Sequence, residues 1–180
     1  MALKATIRKA TLQIADMDRH YYADHSLTLA QHPSETDQRL MVRLLAFALN
    51  ASETLEFTRG LSTDDEPELW ERSLTGDTLL WIELGQPEAD RIRKACKWAD
   101  SVRIYAYGGR TVPIWWNRLS GKLNQHPNLE VFSVPDAACE ALTGMIERNM
   151  TLQCAIQDGV INMSNASTHV SLELTPLKDQ

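Results

Sequence analysis

The hydrophobic positions switch between a period of two and a period near 3.6 along the chain, and the switches mark out an α/β protein. Leu3, Ala5 and Ile7 share one phase and Leu12 and Ile14 the other, which predicts a first strand over residues 3–15 with a bulge or bend between the two sets. A short second strand is expected from Asp24 to Leu29. Leu40, Met41, Leu44, Leu45, Phe47, Ala48 and Leu49 then follow a helical period, with Ser34 or Thr36 as candidate caps and an end near Asn50.

Leu55 to Thr58 and Pro67 to Arg72 read as short strands, separated by a polar turn over 62–66. Thr78 to Leu84 is the clearest strand. It is apolar in both phases, Leu79 and Trp81 on one and Leu80, Ile82 and Leu84 on the other, as expected of a central strand covered on both sides. Pro87 and Glu88 suit a helix start, and Glu88 to Trp98 would bury Ile92, Ala95, Cys96 and Ala99. A strand over Val102 to Tyr107 makes residues 78–107 a parallel β-α-β crossover. A helix over Pro113 to Leu119, a strand over Leu129 to Val134 and a helix over Ala137 to Asn149 follow. Asp158-Gly159 predicts a tight hairpin turn between Met150–Gln157 and Val160–Met163, and the alternation of Val170, Leu172 and Leu174 predicts a last strand. The order implies a mixed β-sheet flanked by helices, with an additional C-terminal β-hairpin, in one domain over 1–180.

Composition adds little to that picture, whereas the distribution of charge changes it. The net charge is −6, yet residues 1–90 carry −8, residues 91–122 carry +7 and residues 123–180 carry −5. A local basic block binds phosphate whatever the total charge. No apolar run approaches the roughly 18 residues of a membrane helix. Three widely spaced cysteines, Cys96, Cys139 and Cys154, argue for a reducing cytoplasm over a disulfide framework. No CxxC, HExxH, serine elbow, P-loop or Rossmann glycine motif is present.

The candidate chemistry centres on Glu83, a carboxylate near the end of a strand with apolar neighbours on both faces. Burying it is costly unless a cation or donors answer it. Glu68, on the neighbouring strand, supplies a second acid, and two such carboxylates suit a hard cation such as Mg²⁺. A structural ion pair of Glu83 with Lys94 or Arg91 is the competing account. Lys94 is a candidate to stabilise developing charge. Asp64-Asp65-Glu66 reads as a solvated turn or a source of local field. Glu35, in the first turn of its helix, suits the helix dipole. Trp115-Trp116 would stack on bases or fill the core.

Several segments together resemble the bacterial YaeQ family: Ala2-Leu3-Lys4-Ala5-Thr6-Ile7, His32-Pro33-Ser34-Glu35-Thr36, Phe57-Thr58-Arg59-Gly60-Leu61, Asp64-Asp65-Glu66-Pro67-Glu68, Leu80-Trp81-Ile82-Glu83-Leu84-Gly85, Lys94-Ala95-Cys96 and Met150-Thr151-Leu152-Gln153. That family looks like a variant of the PD-(D/E)XK nuclease superfamily, with its restriction-endonuclease-like fold. The resemblance implies a Mg²⁺-dependent nuclease, with Mn²⁺ as an alternative ion. Glu68 stands for the first acid, Glu83 for the second, and Glu35 for the acid supplied by the first core helix. The superfamily lysine two residues past the second acid is replaced by Gly85. Lys94 from the following helix, or Gln86 orienting water, would then cover that role. The alternative is a non-catalytic nucleic-acid-binding or regulatory protein on the same scaffold, and a third reading is a protein-interaction module.

Overall fold

The computed structural model describes residues 4–58 and 65–179. Arg59-Gly60-Leu61, Asp64 and most of the expected 62–66 turn lie outside the described residues, as do Ala2 and Leu3. The chain divides into two compact units, one of residues 1–48 and 135–174, the other of residues 49–134 and 175–180. Each unit is built on its own mixed β-sheet.

The first unit opens with β1 (Thr6–Asp16) and β2 (Tyr21–Gln31), an antiparallel pair in continuous register from Thr6↔Gln31 to Asp16↔Tyr21. The expected bulge is therefore absent. Ala10, Leu12 and Ile14 point into the core on one unbroken phase, and Ile7 lies on the exposed face. A strand paired along its whole length leaves one apolar residue outside more cheaply than it breaks register. β2 is also longer than the expected Asp24–Leu29, because pairing with β1 carries its polar ends.

Helix α1 (Asp37–Asn50) follows, and the Thr36 hydroxyl accepts the Arg39 N–H at 3.1 Å, making Thr36 its cap. The rest of this unit comes from the C-terminal part of the chain, ahead of which the second unit is inserted. The described elements in between are β3 (Leu55–Phe57), β4 (Leu69–Arg72), β5 (Thr78–Leu84), α2 (Ala89–Trp98), β6 (Ala99–Ala106), α3 (Thr111–Leu123) and β7 (Leu129–Ser133). After them come α4 (Asp136–Thr143), β8 (Asn149–Gln157), β9 (Val160–Ser164), β10 (His169–Glu173) and β11 (Thr175–Pro176).

The first sheet runs β10-β9-β8-β1-β2, with β8 parallel to β1 and the other neighbours antiparallel. The expected hairpin is β8–β9, and Asp158 (φ 52°) with Gly159 (φ 77°) makes its two-residue turn. Helix α4 stops at Thr143, short of the expected Asn149. The Gly144 N–H closes the last turn on Glu140, and the backbone enters β8 at Asn149.

The second sheet runs β11-β7-β6-β5-β4-β3. β5, β6 and β7 are parallel, and β3, β4 and β11 join antiparallel to their neighbours. The parallel β5-α2-β6 crossover forms as expected. One face of this sheet carries Trp81, Val102, Ile104 and Ala106. It packs in one cluster with Ile92 and Ala95 of α2 and with Val112, Trp115, Trp116 and Leu119 of α3. α3 is nearly twice as long as expected because these α3 positions, with Leu123, recur at helical spacing and are all buried. Trp115 and Trp116 are core residues whose indole N–H groups donate to the carbonyls of Pro87 and Leu177, which rules out base stacking by either.

Candidate functional site: a carboxylate pair closed by an arginine

The second unit brings Glu68 and Glu83 together. Leu69, the first residue of β4, pairs with Ile82, and Glu68 lies in the bend just before it. The Glu68 N–H donates to the Ile82 carbonyl at 2.9 Å, which holds that bend against the end of β5 that carries Glu83. Both carboxylates are buried, at 4 % and 3 % exposure. The core forces this arrangement. Leu80, Ile82 and Leu84 must face one way, so Trp81 and Glu83 face the other, under α2.

Glu83 is answered by two donors on one oxygen. Oε1 accepts the Trp81 indole N–H at 2.8 Å and the Arg91 Nε–H at 2.9 Å. The same guanidinium donates from Nη2 to the Glu66 carbonyl at 2.7 Å. Arg91 thus stands among oxygens from a carboxylate and a backbone carbonyl, with a second carboxylate across the strand. Burial raises the Glu83 carboxyl above its ordinary value of 4.5 and is the largest influence on it. Arg91, by hydrogen bond and charge, and then Trp81 pull it back down, while the Glu68 charge pushes it up. The Glu68 effect shows that the two carboxylates are near enough to repel.

Of the two basic partners expected for Glu83, the structure selects Arg91. Lys94 bonds Asp65 at 2.9 Å and lies 4.4 Å from the Trp98 ring centroid. Both residues are on the covered side of α2, and Asp65 claims the lysine. Gln86 is also committed. Its amide nitrogen donates to the Tyr107 carbonyl at 3.1 Å and to the Thr111 hydroxyl at 2.7 Å, tying the end of β5 to the start of α3. Gly85, where the resemblance to the nuclease superfamily would expect a lysine, has φ 82° and donates its N–H to the Tyr105 carbonyl. A side chain is disfavoured there.

Glu35 belongs to the first unit. It is buried and bonded by Arg43 at 2.8 Å, with Arg39 at 3.7 Å, and its carbonyl accepts the Gln31 amide. The indole of Trp81 is the contact that sequence reasoning missed. Its signal was the i, i+2 spacing to Glu83, which puts both on one face of a strand.

Among the described residues no cluster of three or more His, Cys, Asp or Glu side chains has metal-ligand geometry. The donor set still suits a hard cation, since the two carboxylates and the Glu66 carbonyl are all oxygens and a guanidinium already stands among them. An open hollow of about 600 Å³ toward the other end of β5 is lined by Trp70, Trp81 and Trp98 with Asp65, Asp77 and Asp100, and none of Glu66, Glu68, Glu83 and Arg91 lines it.

The basic block resolves into two parts. On α2, Arg91, Arg93 and Lys94 are paired with Glu83, Asp90 and Asp65. On α3 and its cap, Arg110, Arg118 and Lys122 are exposed and form no ion pair with any described residue. No helix among the described residues is long and apolar enough to cross a membrane.

A sequence-family model described as "YaeQ protein" matches residues 1–174. The chain is 49% identical over 175 residues to proteins named "Uncharacterized protein YaeQ" in Salmonella typhi and Escherichia coli (strain K12), covering 97% of each chain in both comparisons. The crystal structure of YaeQ protein from Xanthomonas axonopodis pv. citri superposes with a TM-score of 0.94 at 51% identity, over 98% of this chain and 99% of that one. The YaeQ protein of Pseudomonas syringae superposes with a TM-score of 0.93 at 34% identity, over 98% and 97%. With a family match over nearly its whole length and relatives this similar, the chain belongs to the YaeQ family.

Proposed function

We propose that this protein hydrolyses nucleic-acid phosphodiesters with a divalent metal, Mg²⁺ or Mn²⁺, held by Glu68 and Glu83. The observation that carries the reading is the pair of buried carboxylates, Glu83 on β5 and Glu68 just before β4, with Arg91 on Glu83. A purely structural acid has little reason to sit there, because apolar residues at both positions would avoid the desolvation cost. When bound, the metal would polarise the phosphate and lower the pKa of a bound water.

The protein's own part is to hold and exchange charge. Glu83 is fixed by β5 and Glu68 by the bend that leads into β4, and the two would hold the cation between them. Arg91 neutralises Glu83 in the free protein. Its side chain is a quarter exposed, which lets the guanidinium reach a phosphate at the surface. Trp81 holds Glu83 in its rotamer by its indole N–H. Gln86 positions the loop into α3, and Lys94, released from Asp65, would add positive charge beside the transferred group. Glu35 is held by Arg43 within the first unit and is given no part in the reaction. Hydrolysis adds water across one P–O ester bond, leaving a phosphate on one product and a hydroxyl on the other.

A non-catalytic nucleic-acid-binding role is the second reading. It is favoured by Gly85 in place of a lysine and by Lys94 being engaged with Asp65. The test is incubation of labelled single- and double-stranded DNA and RNA with wild type and Glu83→Gln, in Mn²⁺, Mg²⁺ or EDTA. Cleavage by wild type in metal, absent in Glu83→Gln and in EDTA, supports hydrolysis. Binding without cleavage of any substrate supports the second reading.

A further inference from the structure

Residues 101–129 contain no aspartate or glutamate, in a chain whose net charge is −6. α3 lies within that stretch. Its buried side is fixed by Val112, Trp115, Trp116, Leu119 and Leu123. The outward side is therefore equally fixed. Arg110, Ile114, Arg118 and Lys122 recur every four residues, so each is turned about 40° from the last and the row winds about a third of the way round the helix. All four are exposed, Ile114 at 70 %. Four residues rise about 6 Å along a helix, so the row is about 18 Å long. On α2, Arg91, Arg93 and Lys94 are spent on acids of this protein and Lys97 alone is left over, whereas on α3 and its cap no described acid answers any of Arg110, Arg118 and Lys122. The row begins beside the carboxylate site, because Thr111, next to Arg110, accepts the Gln86 amide just beyond β5.

We infer that the outer row of α3, Arg110–Ile114–Arg118–Lys122, is the surface that binds the sugar-phosphate backbone of a nucleic acid. A strand presents a phosphate about every 3.4 Å of axis, so a row of this length passes several of them. Two arginines supply planar forks suited to phosphate oxygens, and Ile114 supplies an apolar contact between them. A membrane surface fits poorly. An interfacial helix needs an apolar face to insert, and the apolar face of α3 is already buried in the protein. The inference rests on the nucleic-acid reading above, and it adds where the strand lies.

The test is fluorescence anisotropy with a labelled single-stranded oligonucleotide and its duplex, in EDTA at low salt, so that binding is read apart from hydrolysis. The variants are Arg110→Gln/Arg118→Gln/Lys122→Gln and, as a control on α2, Arg93→Gln. All substituted side chains are exposed, so the fold should hold. The expected result is at least tenfold weaker binding in the triple variant, with the slope of log K against log salt reduced by about 2 to 3 for three lost phosphate contacts. Arg93→Gln should match wild type. Equal affinity and slope in the triple variant would overturn the α3 surface while leaving nucleic-acid binding in place. No binding by wild type to either oligonucleotide would overturn both. Binding to anionic vesicles but to neither oligonucleotide would also overturn the inference.

Discussion

Replacing Arg91 with methionine keeps the aliphatic packing of α2 and removes the ion-pair partner that Glu83 has among the described residues. Removing one partner of a fully buried ion pair costs about 3–5 kcal/mol, because the other charge is left desolvated. Here the cost is smaller for two reasons. The Arg91 side chain is 25 % exposed against 4 % for Glu83, so part of the interaction is already screened, and Trp81 still donates to Glu83. A loss of about 2 kcal/mol near pH 8 is expected, which lowers the urea midpoint by about 1 M.

The pH dependence carries the sign. Burial raises the folded pKa of Glu83 above its ordinary value, and removing Arg91 takes away the strongest influence that lowers it. Between the unfolded and folded pKa values the folded state binds more protons, so stability falls as pH rises through that window. The Arg91→Met loss is therefore full above the folded pKa and fades as pH falls through it, when a proton replaces the guanidinium. Adding Glu83→Gln to Arg91→Met should restore most of the loss at high pH. Urea unfolding of the four proteins of this cycle at about pH 5 and about pH 8 reads all of this. A loss below about 0.5 kcal/mol, or one that is the same at both pH values and in the Glu83→Gln background, would refute the argument.

Three other outcomes follow from backbone and burial. Gly85→Lys should destabilise by about 1–2 kcal/mol in thermal unfolding, because φ 82° disfavours any side chain. Gly108→Ala should cost about 1–3 kcal/mol, since φ is 125° and its Cβ would lie 2.8 Å from the Gln86 amide nitrogen, a contact that must break. Burial pushes the Cys96 thiol up to about 11 and the Cys154 thiol up to about 12, and raises Cys139 as well. Native protein near pH 8 should therefore react with a thiol reagent far more slowly than protein unfolded in urea, as followed by absorbance.

Particular elements show what could be read from the residues. β5 was legible to its ends because a strand apolar in both phases has few alternatives. α2 was legible because Pro87 and Glu88 mark its start. The β8–β9 hairpin was legible because Asp-Gly accepts positive φ at both positions. β1 misled. Its apolar residues change phase, and only pairing with β2 and β8 shows that Ile7 is tolerated outside. α3 was half-read, since Gly121 and two tryptophans weaken its propensity and buried contacts extend it. At the site, strand phase alone put Glu83 beside the sheet edge and Glu68 near it. The choice between Arg91 and Lys94 was not legible. Both lie on the covered side of α2, and the decision belongs to Asp65, which is distant in sequence.

The central claim is that Glu68 and Glu83 form a cation site that Arg91 closes in the free protein. Calorimetric titration with Mn²⁺ of wild type, Glu83→Gln and Arg91→Met tests it most directly. The account predicts binding to wild type, none to Glu83→Gln, and tighter binding to Arg91→Met, where the competing guanidinium is gone. Equal binding by wild type and Glu83→Gln, or no binding by folded Arg91→Met, would contradict it.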